Sequence, residues 1–132
     1  MASFSFDSVL FPVNWVHYLE ADFGPKVVAT AEEKGMSRLA LKALAYGKLA
    51  EGAQKRYAKC WYEPIDDPEL VSLALRFSLS QPITGAIPPG EPVLFRMALD
   101  AAERFSPVTE AQVEELRKRA KESTPMFRLA AA

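Results

Sequence analysis

The stretch that decides the fold is SLALRFSLSQPITGAIPPG, residues 72–90. It begins with apolar residues at helical spacing, continues into the apolar segment ITGAI, residues 83–87, and stops at the turn PPG, residues 88–90. A short apolar run that is bounded by turn residues is typical of a buried strand. The stretch therefore predicts a helix, a strand over residues 83–87 and a tight turn, in that order.

Two more strands are predicted on the N-terminal side. The run SVLFPV, residues 8–13, is β-branched and aromatic, which favours a buried strand. The segment GPKVVATAEEKG, residues 24–35, places Pro25 at a first helical position and Gly35 at the stop, so it predicts a helix. Directly after it, SRLALKALA, residues 37–45, contains a strand of about five residues.

The C-terminal half continues the alternation. Residues 46–66 have no clean period and predict a long loop, after which Asp67 is the expected N-cap of a helix. A further helix is predicted over residues 91–105, and the last one opens with Thr109 and Gln112 as a capping box. The order β-α-β-α-β-α-α predicts an α/β fold with parallel strands and helical crossovers. In such folds, ligands bind at the carboxyl ends of the strands.

Composition indicates one soluble domain over residues 1–132, with a net charge of −1 and no excess of basic residues. We therefore expect neither nucleic acid nor an anionic membrane as a partner. Cys60 and His17 are the single cysteine and the single histidine, so one chain can form neither a disulfide nor a multi-histidine metal site. No metal site is expected. The unpaired cysteine, and the absence of a signal-like or membrane-spanning segment, favour a cytoplasmic location.

Four segments together resemble the C-terminal half of an aldo/keto reductase. They are FPVN at 11–14, AEEKGMSRLALKAL at 31–44, LALRFSLSQPITGAIPPG at 73–90 and SPVTEAQVEELRK at 106–118. The resemblance implies a (β/α)8 barrel that reduces carbonyls with NAD(P)H, in which these three strands are the sixth, seventh and eighth. A whole barrel needs about 250 residues. The expected architecture is therefore a half-barrel, a partial TIM-type (β/α) barrel.

The resemblance also implies which site residues are present. The family's catalytic Asp, Tyr, Lys and His come from earlier strands, so no catalytic residue is expected in this chain. Leu10 stands where many members carry a Gln near the nicotinamide, and Leu41 where a Tyr often stacks on it. What remains is the phosphate-binding half of an NADP site. The implied cofactor-binding residues are Leu44, Gly47, Pro89, Gly90, Arg96 and Asp100.

Each of these residues has an expected role. Leu44 begins the loop after the seventh strand, residues 44–49, which by the resemblance passes the pyrophosphate, and Gly47 lets that loop approach it closely. Pro89 and Gly90 belong to a turn that opens a helix, whose free N–H groups favour an anion. By the resemblance, Arg96 and Asp100 take the places of the Arg and Asn that many members direct at the adenosine end of the cofactor.

Two local questions stay open in the sequence. Lys42 lies in a predicted parallel strand, where it either faces solvent near the strand end or points into the site. The loop YAKCWYEP, residues 57–64, either fixes the chain to the outside of the barrel or contacts the substrate as a lid.

Two functions are compatible with the sequence. The chain is the C-terminal portion of an NAD(P)H-dependent aldo/keto reductase and is inactive alone, being a natural truncation, an isolated gene fragment or a half-barrel that a complementary half-barrel chain completes. Alternatively, it is a non-catalytic half-barrel that self-associates, because the outer strands of a three-stranded parallel sheet have unpaired edges. A homodimer is the simplest such assembly.

Overall fold

The computed structural model describes residues 4–129. In chain order the elements are β1 (Ser8–Pro12), α1 (Trp15–Glu20), α2 (Pro25–Glu33), β2 (Ser37–Leu41), β3 (Ala45–Gly47), β4 (Glu63–Pro64), α3 (Pro68–Leu79), β5 (Gly85–Ala86), α4 (Pro92–Glu103) and α5 (Glu110–Ala120). Within this range, no helix has the length and apolar character that crossing a bilayer requires.

The main sheet is parallel, with the strand order β1-β2-β5. Leu10 of β1 pairs with Leu39 of β2, and Leu39 pairs with Gly85 of β5. The predicted α/β class and the predicted parallel pairing are therefore confirmed. The three strands do not close into a barrel, so the half-barrel remains a hypothesis.

The helix boundaries follow local capping chemistry. The carboxylate of Asp67 accepts a hydrogen bond from the Leu70 N–H at 2.9 Å, which caps α3 as predicted. At α5 the Thr109 hydroxyl and the Gln112 side chain form the predicted reciprocal capping box. Pro25 begins α2, also as predicted.

Three predictions need correction. Residues 46–66 are not wholly a loop, because β3 and β4 form a small antiparallel ladder there. The third strand spans only Gly85–Ala86 and does not reach Ile83, whose N–H donates to the Gln81 carbonyl in a turn. The N–H groups of Thr84 and Ile87 still donate to carbonyls of β2. The helix α1 was not predicted. Its six residues are too few to show a helical period, and Asn14 as N-cap is its main local signal.

The helices cover one face of the parallel sheet and leave the other open. On the covered face, Ala40 is buried in a cluster with Val13 and Val28 of α2. Leu10 is on the opposite face and is 52% exposed, and Ile87, just after β5, is 39% exposed. Exposed apolar side chains on one face of a sheet indicate a surface that another segment can cover.

Candidate functional site

A cavity of about 130 Å³ lies at the carboxyl ends of β2 and β5. Three of the expected cofactor-binding residues, Leu44, Pro89 and Gly90, line it together with Lys42. Such a position is the usual ligand site of parallel α/β sheets. The structure therefore brings half of the expected set together at the place where the strand order predicts a site.

Lys42 lines this cavity and is half-buried, so its side chain takes the position at the site and not the one in open solvent. Its ammonium nitrogen is 4.8 Å from the centre of the Trp61 ring and 4.3 Å from the centre of the Tyr62 ring. Burial lowers the pKa of Lys42, and the neighbouring Cys60 partly opposes that shift. Among residues 4–129, no carboxylate forms an ion pair with Lys42.

The backbone of Lys42 has a φ of 65°, which is unusual for a residue other than glycine. The Asn14 side chain supports this conformation by donating to the Lys42 carbonyl at 2.8 Å and to the Ala45 carbonyl at 2.7 Å. Its oxygen accepts from the N–H groups of Val16 and His17 at the start of α1. Asn14 is thus a positioning residue that sequence reasoning missed.

The loop of residues 57–64 borders the cavity. The Lys59 N–H donates to the Glu91 carboxylate at 2.5 Å, and the Lys59 ammonium donates to the Gly90 carbonyl at 3.2 Å. These two bonds tie the loop to the turn before α4. Trp61 is half exposed at the cavity while Tyr62 is buried there. The loop therefore contacts the site, although the lid function remains a hypothesis.

Tyr62 lines the cavity, and its chain neighbour Cys60 is buried behind the lining residues. Burial raises the pKa of the Tyr62 phenol, with a smaller contribution from the neighbouring Cys60. Cys60 is buried, which makes it a poor nucleophile for external reagents. The described part of the chain contains no cluster of three or more His, Cys, Asp or Glu side chains suited to a metal ion.

The other three expected residues do not line this cavity. A Cβ atom on Gly47 would lie 2.6 Å from the Ser123 hydroxyl and 2.7 Å from the Thr124 carbonyl, so the close neighbour of Gly47 is the chain's own C-terminal segment. Arg96 and Asp100 are exposed one turn apart on α4. Within residues 4–129 they form no ion pair with each other.

The C-terminal segment packs against His17 of α1 and against Trp61, which lines the cavity. The Phe127 N–H donates to His17 Nε2 at 3.3 Å, and the Phe127 ring lies 6.1 Å from the Trp61 ring. His17 is fully buried, and burial lowers its pKa to about 4. The imidazole is therefore neutral near pH 7 and accepts a structural hydrogen bond.

Comparison with known proteins finds no matching family model, no matching curated protein and no matching solved structure. The residues that line the cavity are therefore the guide to the kind of ligand it can bind. Its lining contains two ammonium groups, Lys42 and Lys59, and no acidic side chain among the described residues. Such a lining favours an anionic ligand.

Proposed function

We propose that this chain is the C-terminal part of an NAD(P)H-dependent aldo/keto reductase barrel, contributing the phosphate-binding end of the cofactor site and no catalytic residue. The observation that carries the proposal is the position of Leu44, Pro89 and Gly90, which line one cavity at the carboxyl ends of adjacent parallel strands. These are the residues for which the resemblance implies contact with the cofactor phosphates.

The cavity fits part of a dinucleotide only. Pockets for small molecules usually measure roughly 300 to 1,000 Å³, whereas this one measures about 130 Å³. A single phosphate-sized group is the fitting occupant, held by Lys42 and the turn at Pro89 and Gly90. When bound, the cofactor would supply the hydride for carbonyl reduction. The acid that protonates the carbonyl oxygen would come from another barrel segment.

Arg96 provides the test of the NADP assignment. If Arg96 contacts the 2'-phosphate, Arg96→Ala should weaken binding of 2',5'-ADP roughly 10- to 100-fold, because a hydrogen bond to a charged group contributes about 1.5 to 3 kcal/mol. Binding of 5'-AMP should change much less. Calorimetric titration of both nucleotides into both proteins measures this. Equal losses of affinity for the two nucleotides would show that Arg96 does not contact the 2'-phosphate. Absence of nucleotide binding by the parent chain would refute the proposal.

A second candidate is a non-catalytic half-barrel that self-associates, with the cytoplasm as its proposed location. The open sheet face around Leu10 and Ile87 favours it, since both side chains are exposed. Within the described residues, β1 and β5 each pair with β2 alone, so each has one free edge. Unpaired apolar edges promote pairing with another chain. In a two-fold dimer, β1 of each copy would pair with β5 of the other and cover both open faces.

A further inference from the structure

We infer that Lys42 is the anion-binding residue of the cavity and that the group it binds is one phosphate of a ligand. The anion-binding role of Lys42 does not depend on the proposed function. Only the identity of the rest of the ligand as a nucleotide rests on it. It assigns the central charge of the site to a residue for which the resemblance implies no role.

The hydrogen-bonding capacity of Lys42 is the first argument. An ammonium group has three N–H donors, and none of the hydrogen bonds found among residues 4–129 uses them. The faces of Trp61 and Tyr62 stabilise the positive charge but supply no oxygen acceptor. A half-buried cation with unused donors, directed into a cavity, is suited to an anion that brings several oxygen acceptors.

The backbone gives a second, independent argument. The left-handed φ of 65° is unfavourable for lysine and persists because Asn14 and the Ala45 N–H both bind the Lys42 carbonyl. Glycine would adopt this conformation without strain. Strained residues that the surrounding structure fixes in place cluster at ligand sites, and here the strain accompanies a side chain that points into the cavity.

The charges around the cavity agree with an anionic occupant. Lys59, the second ammonium at the cavity, donates one of its N–H groups to the Gly90 carbonyl. Glu91, the nearby carboxylate, accepts from the Lys59 backbone and does not line the cavity. Lys42 is therefore the one lining ammonium, among the described residues, whose donors all remain for a ligand.

The experiment uses inorganic pyrophosphate and ADP as probes with the full chain. Lys42→Met keeps the aliphatic stem on the aromatic rings and removes the charge. Calorimetry should show both probes binding roughly 10- to 100-fold more weakly, the loss of one charged hydrogen bond. Lys118→Met, which removes an exposed lysine of α5, is the matched control and should bind like the parent.

A second variant separates binding from folding. Lys42→Gly relieves the left-handed strain, so its melting temperature should equal or exceed that of the parent while pyrophosphate binding is lost. Addition of pyrophosphate to the parent should also change the fluorescence of Trp61, and Trp61→Phe should remove that change while the buried Trp15 remains as the reference.

Each remaining outcome decides between the claims. Unchanged binding by Lys42→Met, equal losses in Lys42→Met and Lys118→Met, or no binding of either probe by the parent would overturn the role of Lys42. Lys42-dependent binding of pyrophosphate without any binding of 2',5'-ADP or NADPH would support that role and refute the proposed function. Binding of 2',5'-ADP that depends on Arg96 but not on Lys42 would do the reverse.

Discussion

The side chain of Asn14 lies 2.8 Å from the carbonyl oxygen of Lys42 and connects the ends of two adjacent parallel strands. The same carboxamide also donates to the Ala45 carbonyl, and its oxygen accepts from two N–H groups at the start of α1, so both its donors and both its acceptor positions have partners. The geometry of the cavity therefore depends on a side chain that does not line it.

Asn14→Asp should destabilise the fold by roughly 2 to 4 kcal/mol, because a buried carboxylate would face two carbonyl oxygens in place of two donated bonds. Urea unfolding measures the loss. Aspartate is as good an N-cap as asparagine, so the change leaves the cap of α1 in place. The control is Asp67→Asn at the N-cap of α3, which should change stability by less than about 0.5 kcal/mol. An equally small effect at Asn14 would contradict the positioning role.

His17 should make the stability depend on pH. Its pKa is lowered to about 4 in the folded chain, from an ordinary value of 6.5. The unfolded chain therefore binds the proton more readily, and stability rises with pH between these values. The contribution of neutral His17 to the free energy of unfolding is complete well above pH 6.5. It falls by about 3 kcal/mol on acidification to pH 4.

Urea unfolding at several pH values tests this dependence. His17→Gln keeps an acceptor for the Phe127 N–H but cannot titrate, so it should lose the part of the slope between pH 4 and 6.5 that is due to His17. A parent and a variant with identical slopes would show that His17 is not the titrating group.

Gly47→Ala should destabilise the fold by roughly 1 to 3 kcal/mol, the usual cost of inserting a methyl group into a filled space. The added Cβ would meet the Thr124 carbonyl at 2.7 Å, where backbone must move. Gly85→Ala is the matched control, since its Cβ would meet no atom within 4 Å. Thermal unfolding of both variants compares them. Equal melting temperatures of the two variants would mean that the C-terminal segment can shift away from the added methyl group without loss of stability.

What the sequence predicted correctly is local. Pro25, Asp67 and Thr109 set helix starts through chemistry within one turn of chain, and the structure confirms all three. The β3–β4 ladder could not be predicted, because strands of three and two residues are too short for a period and their pairing joins residues far apart in sequence.

Part of the candidate site could also be predicted from sequence, because three of its residues follow from the positions of the strands. Leu44, Pro89 and Gly90 follow strands, and the rule that parallel strands gather ligands at their carboxyl ends places them together. The contact of Lys42 with Trp61 and Tyr62 depends on how a long connection folds back. No local pattern encodes that path.

The open sheet face should make the chain a dimer. Leu10→Lys places a charge on this face and should shift the protein toward monomer, because a buried unpaired charge opposes association. Sedimentation at micromolar concentration gives the mass of both forms. Ala111→Lys, at an exposed position of α5, is the matched control and should remain dimeric. A monodisperse parent monomer would refute the dimer.

The chain alone should not reduce carbonyls at an enzyme-like rate. The cavity offers cations that can bind an anion, but under the proposed function the acid and its partners would come from another barrel segment. Binding and electrostatic stabilisation without a positioned acid leave only a residual rate. NADPH oxidation with a panel of aldehydes measures it, with Lys42→Met as the variant that removes the inferred phosphate contact. Turnover of about 1 per second or more, in the typical range of enzymes, would mean that this chain supplies its own acid. Tyr62 would then be the first residue to replace, because its phenol lines the cavity beside Lys42.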